Sequence, residues 1–335
     1  MNIADLRFGV IGWGYWGPKI ARNLDSLPHA MVSMIADMDA TRLVSSTVNF
    51  SSVQTTTRAE DVFRSDVDGV VIATPVQTHY RLAKEALLQG KHVLVEKPLT
   101  ANVTEAEELV ALAKAQKRTL MVGHTFEYNP AVNELRNIVQ SGDLGKIYCI
   151  EAERVNLGLF RSDINVIWDL APHDVSILLY LLGKKPEQIM VQAQAHLRPH
   201  IHDVAHLDLN YADGMSAHIH VSWLHPCKIR RVTIMGNARM AVYDDTNPAE
   251  MVKIYNKGAD VYADPEVSYR YGAITIPHID WIEPLRLECE DFVNATRSGT
   301  QPRAHGEVGL EVVRVLAAVQ EVLEKQKVQQ AVIAR

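Results

Sequence analysis

Several features are scarce or missing in this sequence, and each absence excludes a class of protein. Only three cysteines occur, Cys149, Cys227 and Cys289, and they are too far apart for a disulfide framework or a cysteine metal motif. No apolar run is long enough to cross a membrane. Basic clusters are lacking and the net charge is -6, which argues against a nucleic-acid partner. We therefore expect a cytoplasmic protein with reduced, buried cysteines and no membrane association.

What remains is the composition of an ordinary globular protein. Hydrophobic residues make up 47% of the chain and charged residues 22%. A length of 335 residues is enough for two domains with large cores.

The most informative stretch lies near the N-terminus. The apolar run Leu6–Ile11 predicts a buried strand, and Gly12-x-Gly14-x-x-Gly17 follows it directly, before a helix pattern. The three glycines permit a tight turn, close approach to a pyrophosphate and close packing of helix on strand. Asp37 comes about 20 residues after the last glycine, where a ribose-binding carboxylate belongs. Together these features predict dinucleotide binding.

Strand and helix patterns alternate over residues 1–123, as a doubly wound parallel sheet requires. The predicted strands are Leu6–Ile11, Val32–Ala36, Gly69–Ala73, His92–Val95 and Thr119–Val122. The predicted helices are Gly17–Leu27, Ala40–Val48, Arg58–Arg64, Thr78–Gln89 and Thr104–Lys117. We therefore predict an α/β fold in which residues 1–123 form a Rossmann domain.

The second part of the chain has a different pattern. Alternating segments predict strands at Lys146–Val155, Ile189–Ala195, Val204–Tyr211, Ser216–Trp223, Arg230–Met235 and Met240–Tyr243. Helix patterns occupy Asn129–Gln140, Val175–Leu182, 283–298 and 307–326. We predict that residues 124–335 form an α+β domain with a largely antiparallel sheet.

Two short motifs could carry chemistry. Glu96-Lys97-Pro98 follows a predicted strand, and the proline turns the chain at the ligand-binding edge of the sheet. Asp169 and His173 are four residues apart and share one face of a helix. We expect that helix to begin near Asp169, with the carboxylate orienting an imidazole that accepts a proton near neutral pH. An exposed ion pair and a capping aspartate beside an incidental histidine are the structural alternatives, and spacing alone leaves them open.

The combination of these motifs resembles the Gfo/Idh/MocA oxidoreductases. The resemblance extends over essentially the whole chain and includes Ala73-Thr74-Pro75, Gly123-His124 and Tyr128-Asn129-Pro130. It implies an N-terminal Rossmann domain that binds NAD and a C-terminal domain with an open, mostly antiparallel sheet, which binds substrate and mediates oligomerisation.

The resemblance implies a catalytic set of Lys97, Asp169 and His173. His173 would be the general base, Asp169 would orient it, and Lys97 would stabilise charge on the reacting oxygen. The predicted cofactor site comprises Gly12, Gly14, Tyr15, Trp16, Gly17, Asp37, Thr74, Pro75, His79, Glu96 and Lys97, and the Lys97-Pro98 peptide is expected to be cis. Asp37 favours NAD over NADP because a carboxylate repels a 2′-phosphate, although Arg42 lies nearby.

The segment from Asn156 to Asp174 is similar to that of family members acting on nucleotide-linked hexoses, notably UDP-N-acetylglucosamine 3-dehydrogenases. Arg154, Arg161 and Arg198 are candidates for binding a diphosphate, with solvated surface charges as the alternative. The predicted substrate-binding residues are His124, Tyr128, Asn156, Arg161 and Asn165. The expected reaction is oxidation of the C3 hydroxyl of a UDP-hexose. Alternatives are an inositol or free-sugar dehydrogenase, a nucleotide-deoxysugar ketoreductase and a non-catalytic dinucleotide-binding regulator.

Seven histidines lie between His196 and His225, and His218 and His220 alternate onto one strand face. No carboxylate or cysteine accompanies them at metal-ligand spacing, so we predict no metal. A half-exposed sheet face at a subunit interface explains them better. Because family members commonly assemble through the open sheet, we expect a homodimer or homotetramer.

Overall fold

The computed structural model describes residues 5–50, 52–158, 160–263 and 266–333. The chain divides into two compact units. The first comprises residues 1–128 and 282–314, and the second comprises residues 129–281 and 315–335. In the described ranges, no helix combines the length and the apolar character needed to cross a membrane.

The first unit is built on a six-stranded parallel sheet with the order β3-β2-β1-β4-β5-β6. Its strands are β1 (Leu6–Ile11), β2 (Ala30–Ala36), β3 (Gln54–Thr56), β4 (Gly69–Ile72), β5 (His92–Val95) and β6 (Leu120–Val122). The central strands are almost wholly buried, as expected for strands covered on both faces. All five predicted strands are present. Strand β3 was not predicted because its three residues are polar.

Seven helices of the described chain contribute to this unit: α1 (Gly17–Asp25), α2 (Ala40–Asn49), α3 (Ala59–Arg64), α4 (His79–Leu88), α5 (Val103–Gln116), α8 (Pro284–Ser298) and the start of α9 (Gly306–Ile333). The prediction of a single boundary after residue 123 is wrong for α8. Phe292 packs on Phe8 of β1 with ring centroids 5.5 Å apart, and Cys289 lies in the same core. The apolar face of α8 was visible in the sequence, but nothing there indicated which sheet it covers.

The second unit contains an eight-stranded sheet with the order β14-β13-β12-β11-β7-β10-β9-β8. The strands are β7 (Ile147–Leu157), β8 (Gln188–Gln194), β9 (Val204–Asn210), β10 (Ser216–Ser222), β11 (Leu224–Gly236), β12 (Met240–Asp244), β13 (Val252–Ala263) and β14 (Glu266–Thr275). Only β7 and β10 pair in parallel, and the other pairs are antiparallel. The predicted mostly antiparallel sheet is confirmed.

Helices α6 (Pro130–Gln140) and α7 (Val166–Leu182) pack on this sheet. On β10, Ala217, Ile219 and Val221 are buried, whereas His218 is exposed and His220 is partly exposed. This is the alternation that the sequence predicted. Neighbouring strands do supply carboxylates that the spacing did not reveal, because Asp208 contacts His218 at 2.5 Å and Glu153 lies 3.6 Å from His220. No group of three ligating side chains in the described residues could hold a metal ion.

The three cysteines are free. Cys289 is buried, as predicted, but the same prediction is wrong for Cys227, which is exposed, and for Cys149, which is partly exposed. Both lie on strands of the second sheet, where alternate side chains point away from the core.

Candidate active site

The glycine loop connects β1 to α1 and leaves no room for a side chain at its first and last glycines. Gly12 has a φ of 98°, and a Cβ there would lie 2.5 Å from the carbonyl oxygen of Ala73. A Cβ on Gly17 would lie 2.0 Å from the Gly12 oxygen, so the loop and the helix pack without a side chain between them. Gly14 is open, with the nearest atom 3.8 Å from an added Cβ. The loop therefore has the tight turn and the exposed backbone that a pyrophosphate requires.

The aromatic residues of this loop differ in their surroundings. Trp13 is buried and its indole N–H donates to Ser45, so it packs beneath the loop. Tyr15 is 73% exposed, and the Lys19 ammonium lies 3.3 Å from its ring centroid. Trp16 is the N-cap of α1 but makes no side-chain hydrogen bond to the first turn. That helix end is thus capped by no side chain, which suits an anionic ligand.

Asp37 lies at the carboxyl end of β2 and binds the glycine loop. Its carboxylate accepts the backbone N–H of Trp13 at 2.6 Å and that of Asp39 at 2.8 Å. Arg42 approaches Asp37 at 3.8 Å and Asp39 at 3.4 Å. The acid expected to select the ribose is therefore fixed by two backbone donors and has a cation beside it.

At the end of β4, His79 joins two loops of the predicted cofactor site. One ring nitrogen lies 2.8 Å from the carbonyl oxygen of Thr74 and the other lies 2.9 Å from that of Pro98. The ring is buried, and burial lowers its pKa. The hydroxyls of Thr74 and Thr78 are hydrogen-bonded at 2.7 Å, beside Pro75 at the start of a 3-10 turn (Val76–Thr78). His79 thus lies between two backbone carbonyl groups of the site, and the single N–H of its neutral form donates to one of them.

The Glu96-Lys97-Pro98 segment follows β5. Its Lys97-Pro98 peptide is cis, as expected. Burial raises the pKa of Glu96 to about 7, while the Lys97 charge and backbone N–H lower it. The Glu96 carboxyl packs against Gly123, where an added Cβ would lie 3.3 Å from it.

His124 and Tyr128, two of the predicted substrate residues, are both buried. His124 is fully buried, and burial and the Lys97 charge lower its pKa to about 3. The Tyr128 hydroxyl donates to Asp291 at 2.7 Å and accepts from the Ala304 N–H at 3.1 Å. The Tyr128 hydroxyl is thus paired on both sides, whereas both ring nitrogens of His124 have no hydrogen-bond partner among the described residues. Contact of either residue with substrate stays a prediction.

In the second unit, Asp169 and His173 lie on α7, but the predicted helix start is wrong. Asn165 is the N-cap, and its side-chain oxygen accepts the N–H groups of Ile167 and Trp168. Asp169 is in the first turn and Pro172 lies inside the helix. The Asn165 oxygen accepts two of the free N–H groups of the first turn, which Asp169, four positions later, does not reach, and Asn165 therefore begins the helix. Because that oxygen is used, the predicted contact of Asn165 with a sugar would involve its amide nitrogen.

The Asp169 carboxylate is held by groups that are distant in sequence. Trp223, which is buried, donates its indole N–H to Asp169 at 3.0 Å. Arg161 lies 3.9 Å from the other carboxylate oxygen and makes a bidentate pair with Asp163 at 2.8 and 3.0 Å. Trp223 was not predicted, because it comes from β10–β11 and no short motif links it to Asp169.

The three arginines proposed to bind a diphosphate differ in burial and in hydrogen-bond partners. Arg154 is buried in a bidentate pair with Asp174, with both nitrogen-to-oxygen distances 2.9 Å. It fastens α7 to β7, and its proposed role in binding a diphosphate is therefore wrong. Arg198 donates to the backbone oxygen of Arg161 at 3.1 Å, and Arg161 in turn lies beside Asp169. Both arginines therefore stay candidates for binding a diphosphate.

Asn156, near the end of β7, presents a buried side-chain oxygen with no hydrogen-bond partner among the described residues. Gly158 permits this arrangement, because an added Cβ would lie 2.5 Å from that oxygen. An unpaired buried acceptor is costly unless a ligand or water binds it. Asn156 therefore stays a candidate for a substrate hydroxyl.

Each unit carries its own set of candidate functional residues. The first supplies a glycine loop, Asp37 and the Glu96-Lys97 pair, which fit a dinucleotide. The second supplies a carboxylate and an imidazole on one helix, together with arginines, which fit proton transfer and anion binding.

Two family models match this chain, one in each part of it. A model described as an oxidoreductase family with an NAD-binding Rossmann fold matches residues 6–124, and a model of the GFO/IDH/MocA C-terminal domain matches residues 132–242. A UDP-N-acetylglucosamine 3-dehydrogenase from Acidithiobacillus ferrooxidans is 32% identical over 327 residues, which cover 95% of this chain and 96% of that protein.

A solved structure and a further relative are also dehydrogenases. A solved UDP-N-acetylglucosamine 3-dehydrogenase from the same organism has a TM-score of 0.80 and 28% identity, covering 96% of this chain and 98% of that one. An inositol 2-dehydrogenase from Corynebacterium glutamicum is 32% identical over 193 residues, or 56% of this chain and 57% of that protein. Both domain models match in the expected order and cover most of the chain, and this protein is therefore an oxidoreductase of the Gfo/Idh/MocA family.

Proposed function

We propose that this protein oxidises the C3 hydroxyl of a nucleotide-linked hexose, such as UDP-N-acetylglucosamine, with NAD as hydride acceptor. The observation that carries the proposal is the 32% identity to a UDP-N-acetylglucosamine 3-dehydrogenase over nearly the full length of both chains. The residues around Asp169 support it, because they include arginines and an unpaired amide oxygen that suit a diphosphate and a sugar hydroxyl.

Each residue of the proposed catalytic set has one task. His173 accepts the proton of the reacting hydroxyl, and Asp169 orients it. Trp223 and Arg161 keep the Asp169 carboxylate in place. Lys97 stabilises the negative charge that develops on the oxygen as the proton leaves. NAD held by the glycine loop and Asp37 would supply the hydride acceptor. The same residues would serve a ketone reduction in the opposite direction.

We propose NAD rather than NADP as the physiological cofactor. The Asp37 carboxylate stands at the end of β2, and its charge repels a 2′-phosphate while its oxygens suit ribose hydroxyls. Arg42 lies 3.8 Å away and weakens this discrimination. We therefore expect a preference for NAD, with measurable use of NADP.

The test is nicotinamide absorbance at saturating NAD with a panel of UDP-hexoses, UDP-hexuronic acids, inositol and free sugars. Reduction with UDP-N-acetylglucosamine, and its loss in His173→Ala, is the expected result. A response confined to inositol would favour the second candidate, which the inositol 2-dehydrogenase relative supports. Reoxidation of NADH by a nucleotide-linked keto sugar alone would indicate a ketoreductase. NAD binding without turnover of any panel member would favour a regulator.

We also propose that two copies associate through the exposed face of the second sheet. One row across this face follows the strand register, and it consists of Gln192, His206, His220, Glu153, Arg231 and Asp244. Such a row carries both signs of charge, so two copies facing each other in opposite directions can pair acids with histidines and arginine.

A further inference from the structure

The hairpin loop between β8 and β9 comprises residues 195–203 and carries Arg198 near its tip. Arg198 and Ile201 form an isolated antiparallel bridge, and the Ile201 N–H donates to the Arg198 oxygen at 3.3 Å. Pro199 and His200 are the central residues of this turn, and His200 has a φ of 70°. A proline followed by a residue with positive φ is typical of a type II turn, so the tip has a defined backbone conformation.

The base of this loop is tied by the Asp203 carboxylate, which is 2% exposed. One of its oxygens accepts the backbone N–H groups of His196 and Leu197 at 2.8 and 2.9 Å, and the other lies 2.7 Å from His196 Nδ1. Burial raises the pKa of Asp203, but the hydrogen bonds from the His196 side chain and the Leu197 N–H outweigh it and leave the pKa below its usual value. An ionised carboxylate therefore closes the loop directly before Arg198.

The backbone of the loop is joined to the elements that hold Asp169. The Asp203 oxygen accepts the N–H of Trp223 at 2.9 Å, and the indole of Trp223 donates to Asp169. The His202 oxygen accepts the N–H of Val166, the first residue of α7, at 2.9 Å. These bonds fix the loop against the start of the helix on which Asp169 lies.

Arg198 is an exposed cation without a counter-ion. Its guanidinium donates to the backbone oxygen of Arg161 and forms no ion pair with a carboxylate in the described part of the chain. Arg161 is itself paired with Asp163, so Arg198 brings the uncompensated positive charge of this segment. A guanidinium with free N–H groups binds phosphate oxygens by charge-assisted hydrogen bonds. The loop thus presents a cation that suits an anionic group of a ligand.

We propose that the loop of residues 195–203 determines specificity for a phosphate-bearing substrate: Arg198 binds a phosphate of the nucleotide diphosphate, and Asp203 is the positioning residue that holds Arg198 in place. This inference rests on the nucleotide-linked substrate of the proposed function. The diphosphate is remote from the hydroxyl that reacts, so its contact with Arg198 is equally strong in the ground state and the transition state. Losing that contact raises KM and leaves kcat unchanged.

The first experiment measures the Kd of UDP by calorimetry for wild-type protein and four variants. We expect Arg198→Met to raise the Kd about 10- to 100-fold, because a hydrogen-bonded charge contact is lost. Asp203→Ala should raise it about 3- to 10-fold, because the loop must then be ordered on binding. Asp203→Asn keeps an oxygen for the two backbone N–H groups and should bind UDP as wild type does. Arg239→Met, which removes an exposed arginine between β11 and β12, is the matched control.

The double variant shows whether Asp203 acts through Arg198. In an Arg198→Met background, Asp203→Ala should have no further effect on the Kd, whereas a merely structural role would weaken UDP binding equally in both backgrounds. An unchanged Kd in Arg198→Met, or an equal effect of Asp203→Ala in both backgrounds, would overturn the proposal. Should Asp203→Ala not fold, as judged by circular dichroism, Asp203→Ser serves with the same expectation.

Turnover separates this inference from the proposed function. With UDP-N-acetylglucosamine, Arg198→Met should raise KM by the factor found for the Kd and keep kcat within about twofold of wild type. A fall in kcat at unchanged KM, or wild-type protein that does not bind UDP, would overturn the inference. Oxidation of a UDP-hexose together with an unchanged Kd for UDP in Arg198→Met would overturn the inference and leave the proposed function. Wild-type protein that binds UDP through Arg198 but oxidises no UDP-hexose would overturn the proposed function and leave the inference.

Discussion

At the scale of single residues, the contact between Trp223 and Asp169 gives the sharpest prediction. Hydrogen bonds to charged groups contribute roughly 1.5 to 3 kcal/mol, and Asp169 is partly buried. Trp223→Phe removes the indole donor at 3.0 Å and leaves the orienting carboxylate looser. We expect kcat to fall about 10- to 100-fold while the Kd for NAD stays unchanged.

The control for this change is Trp281→Phe, because Trp281 is 53% exposed. Circular dichroism and melting curves establish that both variants fold. If kcat falls no further in Trp223→Phe than in Trp281→Phe, Trp223 fills space and does not position Asp169.

Asp37 gives a second prediction at this scale. Asp37→Asn removes the charge that repels a 2′-phosphate, keeps an acceptor for one backbone N–H, and leaves Arg42 in place. The ratio of kcat/KM for NAD to that for NADP should fall at least about tenfold. Asp39→Asn is the matched control, since asparagine still caps α2 and Arg42 keeps its contact with Asp37. An unchanged ratio in Asp37→Asn would show that Asp37 does not determine the preference for NAD over NADP.

The sequence predicted part of this site and missed the rest for a physical reason. The Gly12 loop and Asp37 belong to a local motif, so their placement followed from short spacings, whereas the cis Lys97-Pro98 peptide was implied by the family resemblance. Trp223 and the partner of Arg154 depend on contacts between distant strands and helices, which spacing does not encode. The pairing of the Tyr128 hydroxyl with Asp291 was also missed, because an aromatic residue beside a motif gives no sign of its hydrogen-bond partners.

At the scale of elements, the Arg154–Asp174 pair determines how firmly α7 is held on β7. The side chains are only 5% and 1% exposed, so removing one partner leaves the other as an unpaired buried charge. Breaking such a pair costs about 3–5 kcal/mol, whereas replacing both members with apolar residues is often neutral. Asp174→Asn should therefore lower the free energy of unfolding in urea by more than the double variant Arg154→Met, Asp174→Leu.

The Arg231–Asp244 pair on the same sheet provides the comparison. Its arginine is 45% exposed, and Arg231→Met should change stability by about 1 kcal/mol or less. If Asp174→Asn lowers the free energy of unfolding as little as Arg231→Met does, the buried pair does not fasten α7.

Helices and strands with strong periodicity were predicted well, and those without it were not. Strands β1, β4 and β5 are continuous apolar runs, and β10 alternates strictly. Strand β14 is an exception: it was missed although Val267, Tyr269 and Tyr271 alternate with polar residues, and these side chains are exposed. The return of α8 to the first unit needed knowledge of its partner, which is Phe8 on β1.

At the scale of the whole molecule, the histidines on the open sheet face make the proposed self-association sensitive to pH. The rings of His206 and His220 stack with centroids 4.2 Å apart. Burial and the charge of His206 lower the pKa of His220, while Glu153 raises it. Protonation of both rings would place two positive charges in contact, so a face that is buried between copies favours the neutral forms.

The associated state therefore binds fewer protons than the separate copies, and association should weaken as the pH falls and His220 takes up a proton. Sedimentation equilibrium of wild-type protein between pH 8 and 5.5 should show the dimer dissociating at the acidic end. His206→Gln removes one of the two charges and should keep the dimer to lower pH. His278→Gln, at a site that is 88% exposed, should behave as wild type. A dimer that dissociates equally in His206→Gln and wild type, or a monomer at every pH, would place the subunit contact elsewhere or exclude it.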